Sequence, residues 1–180
     1  MTGTEIATLI TAMVGAVALT LSLFNTWVQF SNSRVKLKVI PEIGYKDEEK
    51  DSWAVSAIPF PKTMNAVKEK QHRLCVRVIN LSNFAVTIQQ VGFGKYKLLK
   101  DGTVIPFPGV MKKKDCWPLK LESRESDLLM SSTGKDLVID LLDKNCAYVI
   151  TECGHIAYGD SHVFDAYVEE LKKKRKESEN

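Results

Sequence analysis

Four side chains able to bind a metal or share a proton lie close together near the C-terminal end: Cys146, Cys153, His155 and His162. Zinc takes thiolate and imidazole ligands at spacings that let short loops close around a tetrahedral ion, and these are not the spacings of a knuckle or finger. No C-x-x-C pair occurs, so small buried thiols beside surface histidines are the better account. Cys153 and His155 also supply the residue types of an activated nucleophile. At alternating strand positions, with no sign of an orienting acid, they do not make that case. Phosphate cradles are missing too. Gly92-Phe93-Gly94 has no third glycine or following helix, and Gly134-Lys135-Asp136 lacks the hydroxyl that would sit on magnesium. The expectation is a non-enzymatic protein with no catalytic residue, no metal and no cofactor.

Charge excludes a second group of functions. The chain has 25 basic and 22 acidic residues and a formal charge of +3, so it is not a nucleic-acid coat. Lys172-Lys173-Lys174-Arg175-Lys176 could attract anionic lipid or RNA, but Glu169, Glu170, Glu177 and Glu179 surround it, as expected of a solvated helix end. Lys112-Lys113-Lys114 reads as a loop. Neither run is interleaved with aromatics on which bases would stack.

The constellation that remains lies in a segment with no charge at all. Between Glu5 and Arg34 there is no Asp, Glu, Lys or Arg, although the mean hydropathy of the whole chain is only -0.12. Residues 6–24 form an apolar run that spans roughly 28 Å as a helix, close to a hydrocarbon core. A signal peptide would carry a basic start and an A-x-A cleavage site after its apolar run; Glu5 is the only charged side chain before this run, and no such site follows it. Projected at about 100° per residue, Thr4, Thr8, Thr11, Gly15, Ala18, Ser22, Asn25 and Gln29 fall on one side. Their steps alternate four and three, a heptad rhythm that keeps one seam toward a partner. Small residues let membrane helices approach closely, so the stripe implies self-association. Ile6, Ile10, Met13, Val17, Leu21, Phe24 and Val28 face the other way and suit lipid. The competing account is that Ser and Thr hydroxyls simply bond back to their own helix. A closed bundle would bury the stripe, whereas a ring would turn it toward a wet central path, and the residues allow either.

Trp27 and Phe30 follow the run where aromatic rings favour the interface, and Arg34, Lys36 and Lys38 come next. The positive-inside rule then places the C-terminal part in the cytoplasm. The domains expected are 1–33, a transmembrane helix with its flanks, and 34–180, a cytoplasmic β-rich domain. Residues 35–43 alternate as a half-buried strand, 47–52 is a charged loop, and 59–71 reads as a long excursion. Runs 73–80 and 84–93 are β-rich, and Leu81, Ser82 and Asn83 suggest a hairpin between them. A second hairpin is expected for 96–99 and 103–107 around Lys100-Asp101-Gly102, and a third for 147–151 and 155–158. Residues 117–121 and 127–130 read as edge strands, and 135–142 as a brief helix or connection. A helix from His162 to about Lys176 follows, capped by Asp160 or Ser161, with an apolar stripe of Val163, Phe164, Tyr167, Val168 and Leu171. The fold class is α+β, mainly β: an antiparallel sandwich or partly closed barrel with a C-terminal helix.

A single N-terminal membrane helix over 6–24, the basic flank Arg34, Lys36 and Lys38, and a compact β-rich cytoplasmic domain resemble the small membrane accessory proteins of type VI-B CRISPR loci. The resemblance covers the layout of the whole chain. It implies a homo-oligomeric pore in the bacterial inner membrane that enhances antiphage defence by depolarisation, with the lipid bilayer, copies of itself and an RNA-guided effector as partners. Family members carry a divergent HEPN domain, but Arg34, Arg73, Arg77, Arg124 and Arg175 have no His four to six intervening residues downstream. No nuclease activity is expected. The alternative is a membrane-anchored β-sandwich module that recruits a cytoplasmic protein.

Overall fold

The computed structural model describes residues 2–47, 52–68, 72–94, 105–106, 117–131 and 146–179. The chain divides into two units, Met1–Arg34 and Val35–Asn180. The first is a helix, α1, over Gly3–Asn32, about 45 Å long at 1.5 Å per residue. At its start the Thr2 N–H donates to the Glu5 carboxylate at 2.8 Å, which supplies an acceptor to an orphan donor and a negative charge to the positive end of the helix dipole. Ser33 closes the other end, its N–H donating to Gln29 O and its hydroxyl to Phe30 O, each at 2.9 Å. The helix thus runs two turns past the apolar segment, carrying Trp27 and Phe30 with it. It is long and apolar enough to cross a membrane, and none of its most apolar window is buried.

The second unit contains β1 (Leu37–Asp47), β2 (Ser52–Ser56), α2 (Pro61–Lys68), β3 (His72–Asn80), β4 (Val86–Gly94), β5 (Ile105–Pro106), β6 (Leu119–Leu121), β7 (Ser126–Met130), β8 (Cys146–Thr151), β9 (Ile156–Gly159) and α3 (His162–Glu179). One antiparallel sheet has the order β2-β1-β3-β7 and the other β5-β4-β8-β9, with β6 also on β4. Alternation along β1 and β3 turns Val39, Ile43, Leu74, Val76 and Val78 into a core shared with Ile88, Val91 and Phe93 of β4 and Val149 of β8. The sequence stripe on α3 packs into the same core: Val163, Phe164, Tyr167, Val168 and Leu171 are all buried, and Phe164 stacks on Phe93 at 5.0 Å. Ser161 caps this helix, its hydroxyl oxygen accepting from Phe164 N–H.

The expected hairpin between 73–80 and 84–93 does not form. β3 already has β1 on one edge and β7 on the other, so residues 81–85 carry the chain across to the second sheet. The 147–151/155–158 hairpin does form, as β8 and β9. β2 runs from the last residue of the expected charged loop into 53–56, where no element is expected, and α2 falls in the stretch expected to be a long excursion. β2 gains its order from pairing with β1, and α2 begins with Pro61 at the helix position where a missing N–H costs nothing. α2 is then pinned by Thr63 and Val67, buried one turn apart. Pro41 is tolerated inside β1 because β2 pairs only from Ile43 onward, leaving that edge open; the Ser161 hydroxyl donates to the Pro41 carbonyl there. Expectations for 96–99, the turn at Lys100, 112–114, Cys116, Gly134 and 135–142 lie outside the described residues, and of 103–107 only Ile105–Pro106 is described.

Candidate functional site

The described helix carries Thr4, Thr8, Thr11, Gly15, Ala18, Ser22, Asn25 and Gln29 along one side, because α1 continues unbroken through all eight. Two of these hydroxyls are used within the helix. Thr8 Oγ1 donates to Thr4 O and Thr11 Oγ1 to Ala7 O, both at 2.9 Å. Off the stripe, Thr20 and Thr26 do the same to Ala16 O and Ser22 O, so back-bonding follows residue type rather than position. The Asn25 and Gln29 side chains make no hydrogen bond among the described residues. Gly15 has open space where a Cβ would stand, with no atom within 4 Å apart from its chain neighbours and the backbone of its own helix turn. Such a position admits another helix backbone at close range.

Trp27 lies 6.3 Å from the Phe24 ring, and the Arg34 guanidinium sits 4.4 Å over Phe30. These contacts set aromatic and cationic groups together at one end of the helix, the composition of a membrane interface. Lys36 and Lys38 belong to the second unit. Both are exposed, and Lys38 pairs across to Ile79 in the β1–β3 ladder.

The four metal-capable residues do not converge. Cys146 starts β8 and Cys153 lies beyond its other end, roughly 20 Å away along the strand. Among the described residues no three His, Cys, Asp or Glu form a metal-sized group. Cys146 is buried against Gly94 O, and burial pushes its thiol up to about 11; burial pushes Cys75 to about 12. Cys153 is exposed, and its thiol is lowered by the hydrogen bond with Thr151 Oγ1 at 3.2 Å, helped by the His155 backbone. His155 contributes only main-chain atoms here: its N–H donates to Thr151 Oγ1 at 3.0 Å, and its ring makes no hydrogen bond among the described residues. Alkylation of the native protein is therefore expected to modify Cys153 well before Cys75 and Cys146, as read by peptide mass spectrometry. Equal rates at all three would refute this burial pattern.

Two buried polar arrangements have no signal in the sequence. Glu42, only 7% exposed, accepts two hydrogen bonds from Arg77, at 2.9 and 3.0 Å. Asn80, fully buried, ties the loop after β3 to the β6–β7 turn. The described residues define an α+β protein with one helix long and apolar enough to cross a membrane, joined to two antiparallel sheets and a C-terminal helix. No protein family, curated protein or solved structure matches the chain.

Proposed function

We propose that this is a non-enzymatic single-pass protein of the bacterial inner membrane, held by α1 with its 35–180 domain in the cytoplasm, which associates with copies of itself through the Thr4-to-Gln29 stripe. The observation that carries the reading is the surface of α1. Ile10, Val17, Leu21 and Leu23 are more than half exposed, and lipid is the medium that covers such side chains around a whole helix. Arg34, Lys36 and Lys38 support the cytoplasmic orientation. The two sheets are read as a sandwich, partly closed where β9 meets β1. The resemblance to type VI-B CRISPR accessory proteins extends the assembly to a pore that depolarises the membrane during antiphage defence, with an RNA-guided effector as partner.

The test is the mass of the detergent-solubilised full chain by light scattering. A discrete oligomer is expected, reduced toward monomer by Gly15→Leu or Ser22→Leu and unchanged by Val17→Leu on the opposite side. A monomeric wild type, or equal effects of all three, overturns the association. A second reading has a specific observation behind it: Thr8 and Thr11 satisfy their hydroxyl protons inside the helix, which suits a tether carrying a domain that binds a cytoplasmic protein. Exchanging α1 for an unrelated anchor abolishes function in the first case and preserves it in the second.

A further inference from the structure

The chain leaves α1 at Asn32 and enters the domain at Val35. That interval reaches at most about 10 Å, so Val35 stays close to the C-terminal end of α1 at whatever angle the two units stand. The domain surface around Val35 is built from connections together with the start of β4 and the end of β8. Lys36 N–H donates to Ser82 Oγ at 2.8 Å, and Leu81 N–H donates to Lys36 O at 2.8 Å, fastening the 81–85 loop to the point of entry. Ser123 Oγ donates to Ser82 O at 2.9 Å and Arg124 to Asn83 Oδ1 at 3.1 Å, adding the β6–β7 turn. A cleft of about 360 Å³ separates Val35 and Phe84 from the β8–β9 turn at Glu152 and Cys153.

This fastened surface holds out apolar side chains. Leu81 is 39% and Phe84 37% exposed, so each packs part of its side chain on the domain and turns the rest outward from a loop. The charges beside them nearly offset one another: Lys36 and Arg124 against Glu122, Glu125 and Glu152, with Lys120 paired to Glu122 at 2.8 Å. An approximately neutral rim around apolar tips fits the interfacial layer of a bilayer, where a ring and a branched chain insert among headgroups without needing anionic lipid. We propose that this end of the domain, with Leu81 and Phe84 foremost, rests in the interfacial layer of the membrane. The proposal depends on α1 crossing that membrane.

The experiment labels the full chain with a nitroxide at one position at a time, in phosphatidylcholine vesicles, in a Cys116→Ser, Cys153→Ser background. The variants are Leu81→Cys, Phe84→Cys, Val17→Cys in α1, and Ser52→Cys. Ser52 pairs with Asp47 at the far end of β1, roughly 30 Å along the strand from the entry point. Collision with oxygen, relative to a water-soluble nickel reagent, is expected to rise at Leu81 and Phe84 above its value at Ser52, and to be highest at Val17. A lipid-like Val17 with Leu81 and Phe84 as aqueous as Ser52 overturns the proposal and leaves the membrane reading of α1 standing. An aqueous Val17 overturns that reading instead. Protection of Leu81 and Phe84 from both reagents, with spin–spin broadening, assigns the surface to a second copy and also overturns the proposal.

Discussion

Gly159→Ala is expected to lower the stability of the 35–180 domain by about 3 kcal/mol, because the added methyl has nowhere to go. β9 lies at the edge of its sheet, and Gly159, opposite Ala147, presses on β1 of the other sheet. A Cβ there would enter the carbonyl group of Val39 and stand 3.0 Å from the Val39 Cβ. Val39 is buried and paired with Val78, so β1 cannot retreat without opening its ladder to β3. Gly154 makes the control. Its φ is +79° but nothing lies within 4 Å of a Cβ, so Gly154→Ala carries only the left-handed backbone cost of about 1 kcal/mol. Thermal unfolding should show Gly159→Ala lower by about 10 °C and Gly154→Ala by roughly a third of that. Equal shifts would mean that β9 does not approach β1 so closely in solution.

That contact shows what a sequence carries and what it does not. Alternation in 35–43, 73–80 and 84–93 and the apolar stripe of 162–171 were readable because each is a local period imposed by a buried face. Partner choice is not local. Leu81, Ser82 and Asn83 have the composition of a hairpin turn, yet β3 has no edge left for β4. β2 was hidden because Trp53, Ala54, Val55 and Ser56 are all half-buried, so no polar face marks the strand. In 39–43 Glu42 takes the outward position and reads as solvated. Its burial comes from Arg77, 35 positions away, which closes over it. The stripe on α1 was legible from its rhythm, whereas the spending of the Thr8 and Thr11 protons on their own helix required the hydroxyl rotamers.

Asn80→Leu is expected to cost about 3 kcal/mol for a related reason: one side chain satisfies groups from two separate segments, and a shape-matched apolar residue satisfies none. The Asn80 amide nitrogen donates to Phe84 O at 2.8 Å, Leu121 O at 3.2 Å and Glu122 O at 3.0 Å, while its oxygen accepts from Ser82 N–H at 2.9 Å. The bonds to Leu121 and Ser82 are fully buried, so water cannot replace them. Asn80→Asp sharpens the test, since it keeps the shape and the acceptor but turns a carboxylate toward three carbonyl oxygens. The charged form is disfavoured there, which raises the carboxyl above its unfolded value. The native state then binds more protons than the unfolded one, so stability is lowest at neutral pH and recovers as pH falls through the raised value. Denaturant unfolding of the full chain in micelles at pH 7 and pH 5 should show Asn80→Asp regaining stability relative to wild type, with Asn80→Leu keeping a constant deficit. A pH-independent loss in both would place the damage in packing rather than in the hydrogen bonds. The same variants test whether the 81–85 loop is held from below, because loosening it should expose Leu81 and Phe84 to proteolysis before the core opens.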